Sequence, residues 1–263
     1  MAQTLRIKSA GGLTKMTLSP RCRKSDGYQS RREKHSMSSA AQKYINNRAQ
    51  RSQLEFLLAA NVRPGDWFLV LTYDETHLPT SWDAADRVMK AFCRKLRESR
   101  RPEWTMYFYN IERCHYSERP EDCHRWHHHI ILSGDIPLAT IVETWGRGLV
   151  FCKRIKLDPD HTYGSLASYM LKESNEFPGK RGWRSSRGLA KPEEDVIVVP
   201  DDYVIEQPEG PNVMVLEAPE VSQTIYGRLQ KIKFQALDGY ETPVISSTKR
   251  DRRTSPSKRK AAV

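Results

Sequence analysis

Apolar and polar positions alternate in a way that divides this chain into short, readable pieces. Trp67 to Tyr73 is a continuous aromatic and β-branched run, short enough for a buried strand, preceded by the turn signal Arg63-Pro64-Gly65-Asp66. Ser81 or Asp83 can cap a helix to about Glu98, with Ala85, Val88 or Met89, Phe92 and Leu96 as its apolar stripe and Arg87, Lys90, Arg94, Lys95 and Arg97 outside it. A second strand is predicted over Trp104–Glu112, and a third follows a polar excursion from Arg113 to Arg125, at 127–133. Leu138–Trp145 reads as a short helix, Leu149–Leu157 as a fourth strand and Thr162–Glu173 as a further helix. The order β-α-β-β-α-β-α, with a direct β-β connection, suits an α+β fold, an antiparallel sheet with helices packed on one face.

On either side of this block the pattern weakens. Residues 1–36 are basic and polar and are expected to form a poorly ordered arm, followed by a helix from Ser38 to Ala60. Residues 180–191 form a basic segment around Trp183. From Glu193 to Glu220 the chain turns acidic, with strand-like pieces at Val196–Val199 and Val213–Leu216, and Thr224–Phe234 adds a strand or helix. The expected division is a basic arm and helix (1–60), a central domain (61–192), a small β-hairpin appendage (193–248) and a basic, disordered tail (249–263).

Charge changes the picture in one respect. The 263 residues carry a formal net charge of +11, which favours a polyanionic partner such as nucleic acid. No apolar run approaches the length needed to cross a bilayer, and no signal-like apolar stretch opens the sequence, so no membrane partner is expected. Five scattered cysteines read as reduced thiols of a cytoplasmic protein. Cys114-His115 and Cys123-His124 repeat a Cys-His pair, but their spacing matches no common zinc finger.

The candidate chemistry lies in Arg125-Trp126-His127-His128-His129-Ile130-Ile131-Leu132. Side chains alternate along a strand, so His127 and His129 share a face and His128 takes the other. Two imidazoles on one face can grip a divalent ion if a neighbour adds a third ligand. Glu112, at the end of the preceding strand, is the first choice, while Glu118 and Glu121 compete from the intervening loop. A His₂-carboxylate set leaves coordination positions open, as a catalytic site requires, and could hold Mn, Mg, Zn or Fe, among which the sequence does not choose. Tyr169 and Lys172 lie three residues apart on the last predicted helix. A tyrosine hydroxyl beside a lysine and a divalent metal is suited to attack a phosphodiester. Tyr163 is six residues from Tyr169, off its helix face, so a single nucleophile is read.

These segments, WFLVLTYDETHLP, Glu112, RWHHHIIL, YGSLASYMLK and the later Ser185-Ser186-Arg187-Gly188-Leu189, resemble the HUH endonuclease superfamily. They are most similar to the rolling-circle replication initiators of phages and plasmids, over roughly residues 66–192, which implies an antiparallel sheet of about five strands with helices packed on it. The resemblance implies that Leu71, Thr72, Tyr73 and Asp74 shape the DNA and metal side of the sheet. It further implies that Glu112, His127 and His129 bind Mg or Mn, and that Tyr169 attacks single-stranded origin DNA. The products would be a 5′-phosphotyrosine link and a free 3′-OH, with Lys172 positioning the tyrosine or the phosphate. Thr72, Asp74, Arg181, Trp183, Arg184 and Arg187 are the candidate DNA contacts, Trp183 by stacking on a base. The implied partners are origin DNA, a host replication helicase and polymerase, and a second copy of the chain if termination is not a second round at the same site. A mobilisation relaxase or transposase of the same chemistry is the nearest alternative, and a non-enzymatic DNA-binding protein with structural histidines is the alternative of another class.

Overall fold

A computed structural model of the chain describes residues 2–21, 40–101, 105–113, 125–172, 182–224, 227–238, 240 and 249–250. It is α+β and divides into two compact units. One comprises Arg32–Lys191, the other Met1–Arg31 together with Pro192–Val263.

The first unit is built on a five-stranded sheet of order β6-β3-β5-β4-β7, with every neighbouring pair antiparallel. Its strands are β3 (Trp67–Thr72), β4 (Tyr107–Arg113), β5 (Trp126–Leu132), β6 (Val150–Arg154) and β7 (Arg184–Ser185). Four helices accompany it: α1 (Ala40–Asn61), α2 (Trp82–Ser99), α3 (Leu138–Trp145) and α4 (Gly164–Met170). The order read from the pattern is therefore found. Ser81 is the cap of α2, its hydroxyl accepting from the Ala84 N–H at 3.2 Å. Helix α4 is shorter than expected at both ends. Asp158 and Thr162 side chains satisfy its first amide groups, and Leu171 has already left helical geometry.

The helices lie on both faces of this sheet, not on one as expected. Ala85, Met89, Phe92 and Leu96 of α2 and Ile141 and Trp145 of α3 pack with Leu69, Leu71, Tyr109, Ile111, Ile130 and Leu132. Leu54 and Leu58 of α1 and Ala167 and Met170 of α4 pack with Phe108 and Ile131 on the other side. Strands covered on both faces need apolar residues at successive positions, which accounts for the unbroken runs in β3 and β5.

The second unit corrects the reading of the chain ends. Residues expected to form a poorly ordered arm supply β1 (Gln3–Ala10) and β2 (Leu13–Pro20), a hairpin turned at Gly11 and Gly12, both with positive φ. The hairpin sits within a six-stranded sheet of order β11-β8-β1-β2-β10-β9. Its other members are β8 (Glu193–Val199), β9 (Val213–Thr224), β10 (Gly227–Ala236) and β11 (Lys249–Arg250). Hence 193–248 is no self-contained hairpin appendage, and strand pairing reaches into the expected tail at 249–250. Leu5, Leu18, Ile232 and Phe234 anchor this unit's own core. No helix of the described residues is long and apolar enough to cross a membrane.

Gly148 fixes how the connection from α3 to β6 passes the end of β3. Its φ is +151°, and an added Cβ would lie 2.5 Å from the Thr72 carbonyl oxygen and 2.8 Å from the Asp74 nitrogen. Both obstacles are backbone and cannot rotate away. Gly148→Ala should lower stability by about 1–3 kcal/mol, measured as a reduced midpoint in urea denaturation.

Candidate functional site

Strands β4, β5 and β3 pair so that Glu112 faces His127 and His127 faces Thr72, while Asn110 faces His129 and His129 faces Val70. Directly paired residues share a sheet face, so Glu112, His127, His129, Asn110, Thr72 and Val70 lie together on the α4 side. His128 is paired with Leu71 and Ile111 and takes the opposite side. It is buried there, hydrogen-bonded through Nε2 to the Tyr73 hydroxyl at 2.6 Å and packed edge-on against Trp145. His128 is thus part of the packing, as its place in the alternation predicts.

The three ligand candidates converge. The Glu112 Oε2 atom lies 3.0 Å from His129 Nε2 and 3.5 Å from His127 Nε2, and all three ligand atoms lie within 4.8 Å of one another. A divalent ion with bonds of about 2.1 Å holds adjacent ligand atoms roughly 3.0–3.4 Å apart, so the Glu–His separations fit such a centre. Two imidazoles and a carboxylate are also a donor set that divalent transition metals accept. Among the described residues this is the group able to hold a metal ion.

Burial of Glu112 favours its neutral form, but hydrogen bonds from His127 and His129 outweigh that and bring its carboxyl down to about 2. Asn110 adds a third donor. Its Nδ2 group donates to Glu112 Oε1 and to the Met170 carbonyl, tying the acidic strand to the end of α4. Phe68 stacks on His129 with ring centroids 5.7 Å apart and planes 12° from parallel. Neither Asn110 nor Phe68 was singled out in the sequence. The two-residue period carried the signal, because Asn110 is two before Glu112 and Phe68 lies two and four before Val70 and Thr72 on the same face.

Tyr169 comes to this cluster from α4. Its ring meets His129 edge-on at 4.9 Å and Phe68 at 5.6 Å, and 46% of the residue remains exposed. Lys172 follows the helix in a turn, its N–H donating to the Tyr169 carbonyl at 3.2 Å, and its side chain is exposed. Tyr163, by contrast, is buried. Its hydroxyl donates to the Val62 carbonyl at 3.0 Å, and burial pushes it up to about 12.

The candidate DNA contacts are not all brought to this face. Thr72 borders His127, with its hydroxyl hydrogen-bonded to the Leu149 backbone. The Asp74 carboxylate accepts from the Thr76 and His77 N–H groups and caps the 3₁₀ turn Glu75–His77. Trp183 is partly buried against Phe108, and Arg184 pairs with Asp86 of α2 at 2.9 Å over the Trp82 ring. Arg187 is exposed. Arg181, the loop carboxylates Glu118 and Glu121, and both Cys-His pairs lie outside the described residues.

No family model, no curated protein and no solved structure matches the chain.

Two outcomes follow from the geometry. A divalent metal ion at about 100 times its dissociation constant should stabilise the folded protein by about 2.7 kcal/mol. Glu112→Gln and His127→Ala should each lose most of that gain in a thermal melt. Burial also holds His128 neutral, from 6.5 down to about 3, so the unfolded chain binds a proton the folded chain does not. Stability is full above pH 6.5 and falls as pH drops. In EDTA, denaturation midpoints should reveal a loss of about 2 kcal/mol from this group between pH 7 and 5. The double variant Tyr73→Phe/His128→Leu should lack that increment.

Proposed function

We propose that the chain is a metal-dependent DNA strand transferase that nicks single-stranded DNA through Tyr169 and later rejoins it. The observation that carries this reading is the placement of a half-exposed tyrosine ring 4.9 Å from the ring of His129, itself part of the Glu112–His127–His129 group. A lone histidine pair on a strand would support little. A carboxylate, two imidazoles and a phenol on one sheet face support phosphoryl transfer much better.

Glu112, His127 and His129 would hold the divalent ion, and Mn²⁺ suits imidazole ligands better than Mg²⁺, which prefers oxygen. When bound, such an ion polarises a phosphoryl oxygen and offsets the negative charge gathering there. The Tyr169 oxygen attacks phosphorus, and its proton leaves to solvent. The bond between phosphorus and the 3′ oxygen breaks, and that oxygen takes up a proton to become a free 3′-OH. One phosphodiester is exchanged for a phosphotyrosyl ester, so attack by a 3′-OH can reverse the step without an external energy source. Phe68 and the edge contact with His129 hold the phenol ring over the site, and Asn110 holds Glu112 toward the imidazoles. Lys172, one turn beyond the nucleophile, supplies positive charge for the phosphate. With Tyr163 tied to Val62, each active site has one nucleophile, so a second transfer needs another protomer or another round.

The order of the motifs along the chain, resembling that of rolling-circle initiators, supports origin nicking for phage or plasmid replication as the biological setting. A 5′-linked product with a primer terminus would then be handed to a host helicase and polymerase. Incubating the protein with candidate single-stranded origins and Mn²⁺ should give an SDS-stable protein–DNA adduct. Tyr169→Phe should reduce adduct formation by at least 10³-fold, on the order of other lost nucleophiles. An unchanged adduct in that variant would remove Tyr169 from the reaction.

A further inference from the structure

The sheet face that carries the metal-binding group continues past it to the edge of the sheet, where the side chains change character. Phe151 of β6 pairs with Val70, and Val70 pairs with His129, so the three lie in one row across three strands. Two strand spacings separate Phe151 from His129, about 10 Å. Leu149 is two residues before Phe151 on the same side, its carbonyl accepting from the Thr72 N–H at 3.0 Å. Lys153, two residues after, pairs with Phe68, the ring that touches Tyr169.

Phe151, on the edge strand β6, is 57% exposed and Leu149, just before that strand, 65% exposed, where apolar residues invite unwanted pairing. Beside them on this face stands the exposed Lys153, whereas Arg113, Arg154 and Arg184 belong to the opposite face, paired with Trp126, Trp67 and Tyr109. An uncovered phenyl ring beside a lysine suits a ligand with flat apolar faces and a negatively charged backbone.

We infer that Phe151, with Leu149 and Lys153, is a stacking platform for an unpaired base of the single strand whose phosphate reaches Tyr169. This rests on the proposed function and extends it. The row Phe151–Val70–His129 gives the strand a path from the platform to the metal-binding group, the base resting on Phe151 and a backbone phosphate lying near Lys153. Duplex DNA keeps its bases stacked on one another and cannot use the ring. The platform therefore selects single strands, and because every base has a flat face it does so with little regard to sequence.

The test is equilibrium binding of fluorescein-labelled dT12 in EDTA, read by anisotropy, in the Tyr169→Phe background so that no covalent step contributes. Phe151→Ala should weaken binding about 5- to 150-fold, while Phe151→Trp should restore it, with its indole emission quenched on saturation. Binding of a 12-base-pair duplex should be unchanged by either substitution. Equal affinity of Phe151→Ala and the parent for dT12 overturns the inference, as does a concentration-dependent dimer that Phe151→Ala abolishes, which would assign the patch to a second copy. Since Phe151 is exposed, an unchanged melting temperature shows that the variant is folded. The two readings fail separately. Binding through Phe151 without any adduct from the wild-type chain removes the reaction and keeps the platform; an adduct with no effect of Phe151 removes the platform alone.

Discussion

A carboxylate buried in the middle of a sheet is the constraint on which the rest of the first unit depends. Glu112 is only 3% exposed, and an isolated charge there would be ruinous. The fold answers by bringing three donors to it: two imidazoles from β5 and the amide of Asn110 from its own strand. The two imidazoles depend on register, since a slip of one residue would send both to the far side and bring His128 to the carboxylate. The same requirement sets α4, because Asn110 is held between Glu112 and the Met170 carbonyl. Electrostatics and topology are therefore one problem in this sheet.

The two sheet faces divide the labour. The α2/α3 side is filled by Leu, Ile, Met and aromatic side chains, and there the single histidine is kept neutral and bonded to Tyr73. The α1/α4 side holds apolar packing at Phe108 and Ile131, then gives way along the same strands to the polar groups Asn110, Glu112, His127 and His129. A rigid layer behind and a chemically varied layer in front hold ligand positions better than loops can.

Much of this was legible because the signals were local. The runs in β3 and β5, the stripe of α2 and the His-x-His alternation each declare themselves within ten residues or so, and the direct β-β connection makes Glu112 a neighbour of His127. Other features depended on distant partners. The strands β1 and β2 alternate and flank a Gly-Gly turn, yet their basic composition pointed to a solvated arm, and the strands that pair with their outer edges, β8 and β10, lie remote in the sequence, as in Gln3 with Val199 and Leu18 with Gln230. The two-residue strand β7 has no apolar pattern to announce it. Trp183 and Arg184 read as a nucleic-acid loop from composition, whereas Phe108 and Asp86, the groups that engage them, are remote in sequence. Helices on both faces were implied by unbroken apolar strands, but periodicity alone does not tell a one-sided core from a two-sided one.

The second unit has a consequence for how the chain is made. Gln3 pairs with Val199 and Leu18 with Gln230, so the hairpin leaves the ribosome well before the strands it pairs with. Between these events the whole of Arg32–Lys191 is synthesised, its strand pairings closer in sequence than those that β1 and β2 make with β8 and β10. The β1–β2 hairpin meanwhile presents two open edges, and its lysines and arginine, at Arg6, Lys8 and Lys15, discourage pairing with other nascent chains. What looks in the sequence like an affinity for polyanions is, for this segment, also protection during a long wait.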